Sequence, residues 1–419
     1  MKQKHVIVFI LSVVLSACAF GCISEAASTL PPANNNTPAS SQTDTSGLGT
    51  VPIQIATLPE TTIATTANIS SAPQASKHTI TINAVFPPMQ PSDRNYQDFS
   101  AYLLRSPLVD GINPPLVWSA IDKGPNATGG QYQFDAFDHE IQRFIDAGKT
   151  VNLIVYPIGY SPLQGPPAYV MDDPTLDKVS CNTPAFANWP VIYEAPFKNA
   201  YKAFIVQVIK HFAANPHIGY IRFGLSRGGE IYPFCAQQEA ALSKMTLAQW
   251  GTQVWLPYDK EMLDYEKSLN PSIRIMGPTT QFGAPDFAVM EAENAVNDGF
   301  GFGSQGLQKK DILDYPICTA DWCNLFNQYN GQVALELQTF GPSDPSGACG
   351  TNGNAVCQGG ALQEATGPLP PLITFAAAHH ATILEIYTSD LLLALDPSYP
   401  GNAASGASYA GALMAVHGK

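Results

Sequence analysis

Tyr220-Ile221-Arg222-Phe223-Gly224-Leu225-Ser226-Arg227-Gly228-Gly229-Glu230-Ile231-Tyr232-Pro233 is the stretch that decides the fold. Ile221, Phe223 and Leu225 alternate as a strand requires. Gly228-Gly229 then permit backbone torsions closed to other residues. A strand that runs into a glycine turn and carries one carboxylate at its tip fits an α/β barrel, which keeps its chemistry at the C-terminal ends of its strands. Taken alone, Glu230 reads equally well as an exposed loop acid.

The flanking sequence favours the barrel. Upstream, Tyr201, Phe204, Ile205, Val208, Ile209 and Phe212 mark a single apolar face of a helix over about 195–212. Earlier still, strands are expected at 79–86, at 109–118 (bounded or broken by Pro114-Pro115) and at 151–156. A helix with Asp135 as N-cap and Gly148 as its stop lies between the last two. Downstream come a helix over 247–269, a strand at 273–276, a helix over 286–297 and a weak glycine-rich strand at 299–307. Strands at 333–337 and 383–387 and helices near 371–380 and 403–416 complete the chain. About eight strand–helix units in one stretch predict a closed (β/α)8 TIM barrel of the α/β class over 77–419. An open doubly wound sheet is the alternative, but no GxGxxG or P-loop signature follows any strand.

Composition bounds the partners. Only 13% of the 419 residues are charged, against roughly 25% on average. The net charge of -13 argues against nucleic acid and anionic lipid, which need basic patches. A neutral ligand is expected, and no cofactor or metal. At the N-terminus, Lys2 and Lys4 precede the apolar run Val6–Leu15, the pattern of an export signal. Leu15-Ser16-Ala17-Cys18 resembles a bacterial lipobox, which implies a signal peptide at 1–17 and a lipidated Cys18; lipidation at Cys22 or cleavage after Ala26 are the alternatives. Residues 18–76, rich in Ser, Thr, Ala, Pro and Asn, cannot bury enough apolar surface to fold and are expected to form a disordered tether from the membrane. The protein is thus expected outside the cytoplasm, at a bacterial surface or in the periplasm. Its oligomeric state is open. Cys181, Cys235, Cys318, Cys323, Cys349 and Cys357 suggest disulfides in such a compartment. Proximity pairs Cys318 with Cys323 and Cys349 with Cys357, leaving Cys181 for Cys235.

Counting strands places Glu230 after the fourth, Glu336 on the seventh and Glu385 on the eighth. Glu336 and Glu385 stand inside apolar strands, where an ionised group without a purpose carries a desolvation cost of several kcal/mol. Two carboxylates across one cleft are what glycoside cleavage needs: one protonates the leaving oxygen, the other attacks carbon or activates water. The plainer reading is an acid paired with arginine to brace the barrel. Arg227, Tyr232, Gln338, Glu385, Tyr387 and Asp390 are candidates for substrate contacts, and Trp118, Trp189 and Trp322 for stacking platforms.

These residues carry a resemblance. Asp110-Gly111-Ile112, Leu116-Val117-Trp118, Gly130-Gln131-Tyr132-Gln133-Phe134-Asp135 and Gly148-Lys149-Thr150-Val151-Asn152-Leu153 resemble the second-to-third strand region of beta-galactosidase-like members of glycoside hydrolase clan A. The resemblance implies a retaining glycosidase with Glu230 as acid/base, Glu336 as nucleophile and Trp118 lining the sugar site. Clan A members usually place Asn before the acid/base, and here that position is Gly229. Gly229-Glu230 followed by Tyr232-Pro233 is instead similar to the acid turn of beta-amylase, an inverting (β/α)8 hydrolase. The alternative to an enzyme is a surface glycan-binding lipoprotein on a hydrolase-like barrel.

Overall fold

Eight parallel staves close into a ring. In chain order the strands are β1 Thr81–Val85, β2 Gly111–Asn113, β3 Pro115–Val117, β4 Thr150–Tyr156, β5 Lys178–Val179, β6 Trp189–Pro190, β7 Ile218–Phe223, β8 Arg274–Thr279, β9 Gly301–Leu307, β10 Leu335–Thr339 and β11 Ile383–Tyr387. The sheet order is β2-β1-β11-β10-β9-β8-β7-β4-β3, and a further β2–β4 pairing shuts it. β2 and β3 are two halves of one stave, both paired to β4 and separated by Pro114, which has no N–H to give the ladder. β5 and β6 form a separate antiparallel ribbon outside the barrel. This computed structural model describes residues 80–85, 101–159, 164–181, 188–231, 233–269, 271–279, 286–312, 321–343, 365–399 and 401–417. All of them lie in the unit Lys77–Lys419; the expected signal peptide, tether and Cys18 lie outside the described residues.

Helices cover the ring because their apolar stripes match its outward residues. The helix Ala195–Phe212 buries Phe197, Tyr201, Phe204, Ile205, Val208, Ile209 and Phe212, the face that the sequence periodicity marks. Each such side chain removed from water contributes about 1.5–3 kcal/mol. Phe204 stacks on Trp118 at 5.7 Å between ring centres, so Phe204→Ala would open a cavity under this helix.

Two local expectations are corrected. Asp135 is the first helical residue of Asp135–Asp146 rather than its cap, and Phe134 holds the N-cap position. There Asp135 and Asp138 place negative charge in the first turn, where the helix dipole favours it. The helix expected over 247–269 is a relay instead. Leu247–Trp250 starts from a Thr246/Gln249 capping box, Gly251–Trp255 is a π turn, and Leu256–Ser268 continues as α-helix. Pro257 lacks the N–H for a regular bond at that junction, which fits a wider turn there.

Candidate active site

The acid turn grows out of β7. Backbone N–H groups of Leu225 and Ser226 donate to the Glu230 carbonyl at 3.0 and 3.4 Å, closing the loop on itself. Gly228 has φ +69, a torsion that disfavours side chains, and its N–H bonds Ile158 O at 2.6 Å, tying the turn to the end of β4. Gly229 packs directly on β4: a β-carbon there would meet Ile154 Cγ2 at 1.7 Å. A side chain at 229, Asn included, would require Ile154 to move. On the far side, Cys181 and Cys235 form a disulfide with Cα atoms 5.6 Å apart, as proximity led us to expect. It joins the β5–β6 segment to the chain just after Glu230. Arg227 lies over the Phe234 ring at 4.1 Å.

Inside the ring, inward side chains make a polar column. Arg222 is its hub. Nη1 donates to Glu336 Oε2 and to Glu385 Oε2, each at 3.0 Å, and Nη2 donates to Gln338 Oε1 at 3.0 Å. Gln305 Nε2 adds a bond to Glu336 Oε2 at 3.2 Å. Glu385 Oε1 accepts from the Tyr220 hydroxyl and from Asn113 Nδ2. Asn152 Nδ2 in turn donates to Asn113 Oδ1 at 3.0 Å. Both carboxylates are fully buried. Gly303 makes this possible, since a β-carbon there would stand 1.9 Å from Glu336 Oε2. Below the column an apolar floor of Tyr220, Met276 and Ile383, with Ala334 against it, seals the barrel.

One guanidinium between two carboxylates leaves a surplus negative charge in a dry interior, and a proton removes it. Burial first, then the charge of Glu385, pushes the Glu336 carboxyl up, against the pull of Arg222. Burial works against the Arg222 charge, but Glu385 and Glu336 outweigh it and hold the guanidinium protonated. Glu385 accepts three donors on its two oxygens. Glu336 Oε1 accepts no hydrogen bond, leaving it free to carry a proton. Above the column stand Tyr156, buried, and Tyr387, half-buried. Burial and then the charge of Glu230 raise both phenols, and Glu385 adds to each. Glu230 is therefore within electrostatic reach of the top of the column, and Tyr387 is bonded to Gln338 within it.

No protein-family model matches the chain, and no curated protein matches it in sequence. Solved structures do. The catalytic domain of beta-amylase from Paenibacillus polymyxa is similar with a TM-score of 0.53 at 12% identity, covering 80% of this chain and 98% of that one. The chain has the (β/α)8 barrel fold. A xylanase from Cellvibrio japonicus is similar at a TM-score of 0.43 and 12% identity, over 74% of this chain and 87% of its own.

Within that barrel, the candidates sort by position. Arg222 brings together Glu336, Gln338 and Glu385, and Tyr387 joins them through Gln338. Trp118 is not among them, contrary to the expectation that it lines the sugar site. It is fully buried on the outer side of the ring, 5.6, 5.3 and 5.7 Å from Phe197, Tyr201 and Phe204, with Nε1 on Asp122 at 3.0 Å. The chain turns helical at Trp118, and that turn swings the indole away from the barrel axis. Trp189 is likewise core, 1% exposed against Phe234. Asp390, expected to contact substrate, is instead taken up by the chain: buried, it accepts from the Ser343 N–H and hydroxyl, and burial raises it to about 7. Tyr232 and the Trp322 side chain lie outside the described residues. Cys323 is disulfide-bonded, while Cys318, Cys349 and Cys357 lie outside the described residues. Among the described residues no cluster of His, Cys, Asp or Glu could hold a metal ion. Arg222, Tyr220, Asn113 and Tyr156 were missed. A charge inside an apolar strand, the signal that singled out Glu336 and Glu385, was present at Arg222 too.

Proposed function

We propose that the protein is a glycoside hydrolase acting on a neutral oligo- or polysaccharide. Glu230 gives its proton to the leaving oxygen, and Glu336, in the ionised form that Arg222 and Gln305 hold by Oε2, attacks the anomeric carbon or activates water. The observation that carries this reading is the anchoring of the Glu230 turn at the ends of β7 and β4, by the Leu225 N–H on Glu230 O at 3.0 Å and the Gly228 N–H on Ile158 O at 2.6 Å. It favours an acid close to the barrel axis, at the C-terminal end where barrel enzymes work. The shared fold with a beta-amylase domain over nearly all of that domain supports a sugar polymer as substrate. Glu336 supplies Oε1, which meets no other donor, while Arg222 and Gln305 fix Oε2. The clan A resemblance favours retention; the Gly229-Glu230 turn is the argument for inversion.

Glu230→Gln keeps the shape of the side chain and removes the proton. Against aryl glycosides and a panel of plant, fungal and bacterial polysaccharides, it should cut kcat about 10²–10⁴-fold with an unchanged melting temperature. Undiminished hydrolysis by Glu230→Gln would falsify the assignment. The anomer released first, read by proton NMR, separates retention from inversion.

A second reading, glycan binding without cleavage, is favoured by one observation: Glu336 is completely buried and lies one inward position below Gln338. On that reading the wild-type chain binds a polysaccharide of the panel but releases no reducing ends.

A further inference from the structure

Among the described residues five large hydrophobic side chains are exposed: Tyr169, Leu242, Met290, Phe340 and Met414. Leu242, Met290 and Met414 lie on the covering helices 236–242, 286–297 and 402–417. Tyr169 is tied through its hydroxyl to Asp122 at 2.8 Å. Phe340 differs from all four, because it directly follows a barrel strand, β10, at its C-terminal end.

The period of β10, carried one residue past its end to the bend at 340, turns Phe340 inward. Ala334 packs on the interior floor, and Glu336 and Gln338 both accept from Arg222 inside the barrel. Alternate residues of a strand share a face, so the next inward position is 340. The register shift between Gln338 and Thr339 places its extra residue, Gly306, on β9, so β10 keeps its own alternation, and the Phe340 N–H bonds Leu307 O at 2.9 Å. Phe340 thus sits one step above Gln338, on the mouth side of the polar column, with 40% of its surface open to solvent. The segment is also fixed beyond it. The Ser343 N–H bonds both carboxylate oxygens of Asp390 at 3.0 Å, and its hydroxyl bonds Oδ1 at 2.8 Å.

We propose that Phe340 is a stacking platform for one pyranose ring of the substrate at the barrel mouth. This rests on the carbohydrate reading above and adds a binding residue to it. A pyranose has an apolar face of C–H bonds and a polar rim of hydroxyls. The phenyl face, electron-rich at its centre, suits the first. Gln338, one inward step below, and Tyr387, bonded to it, suit the second. A fixed backbone presents the ring without an ordering cost on binding, as a preorganised subsite requires. Phe340 is a binding residue rather than a catalytic one, so its removal should weaken association and leave the chemical step intact.

The test compares wild type, Phe340→Ala and Phe340→Trp in the full chain, with maltohexaose, xylohexaose and cellohexaose as probes. Calorimetric Kd values are measured in a Glu230→Gln background, and KM and kcat in the active one. For a hexasaccharide that wild type accepts, Phe340→Ala should raise Kd and KM about tenfold with kcat little changed, and Phe340→Trp should restore both. Melting temperatures should agree among the three, as the side chain is largely open to water. Unchanged Kd and KM in Phe340→Ala overturn the platform and leave the carbohydrate reading standing. If wild type neither binds nor cleaves any of the three, the carbohydrate reading falls and the platform with it.

Discussion

The barrel interior and the layer under the helix Leu256–Ser268 both bury carboxylates, but they neutralise them by different means. In the interior Glu336 and Glu385 share Arg222, with Gln305, Asn113 and Tyr220 as further donors. In the outer layer Glu239, Asp259 and Glu266 are each 2% exposed or less, and each keeps one oxygen without a hydrogen bond. Asp259 accepts from Asn294 Nδ2 at 3.1 Å, and Trp189 stands beside Glu239; both partners are neutral. Burial raises Glu239 to about 8. It also raises Asp259, and raises Glu266 further with help from the Asp259 charge. With arginine present the interior needs one proton for its two acids; with none, burial raises each of the outer carboxyls. A site that needs a working charge in a dry interior must bring the cation with it.

The hardest way to break this contrast is to delete the hub. Arg222→Met leaves two acids with neither cation nor water, and urea unfolding at pH 7 should show a loss of about 3–5 kcal/mol. Adding Glu336→Gln and Glu385→Gln to it should recover most of that. A loss under about 1 kcal/mol would mean the interior behaves like the outer layer.

The outer layer should show itself in pH. Glu239 has a folded value raised to about 8 against an ordinary 4.5. Its contribution to stability is therefore complete below the ordinary value and is lost as pH rises through about 8. Stability should fall by about 4 kcal/mol or more between pH 5 and pH 9, and Glu239→Gln with Asp259→Asn should flatten that fall. If the double variant melts in parallel with wild type across the range, these acids are not the cause.

The exposed pair Lys260–Asp264, at 2.7 Å with both side chains more than half open to solvent, sets the lower end of the scale. Lys260→Ala should change stability by less than about 0.5 kcal/mol at any pH.

The barrel was legible because its outward residues are apolar and periodic, and that periodicity is what sequence displays best. The site was legible only where chemistry broke the pattern, as at Glu336 and Glu385. In β7 the reading followed Ile221 and Phe223, which face the helices, while Tyr220 and Arg222 on the other face build the interior. The weak glycine pattern of β9 has a similar cause: Gly303 yields its space to the Glu336 carboxylate. Trp118 misled because a tryptophan at a strand end does not say which way the chain turns next. The π turn at Gly251–Trp255 leaves helical spacing nearly intact, so a continuous helix was the natural expectation.

The contact between Gly229 and Ile154 also imposes an order on change. A side chain before the acid is closed to this chain while Ile154 fills the space with its Cγ2 1.7 Å from where a β-carbon would stand. Asn at 229 becomes accessible only after position 154 has become smaller, and that first step by itself opens a hole in the wall of β4. A lineage moving toward the usual clan A arrangement would have to cross that less stable intermediate. The glycine before Glu230 is thus a lock whose key lies on the neighbouring strand.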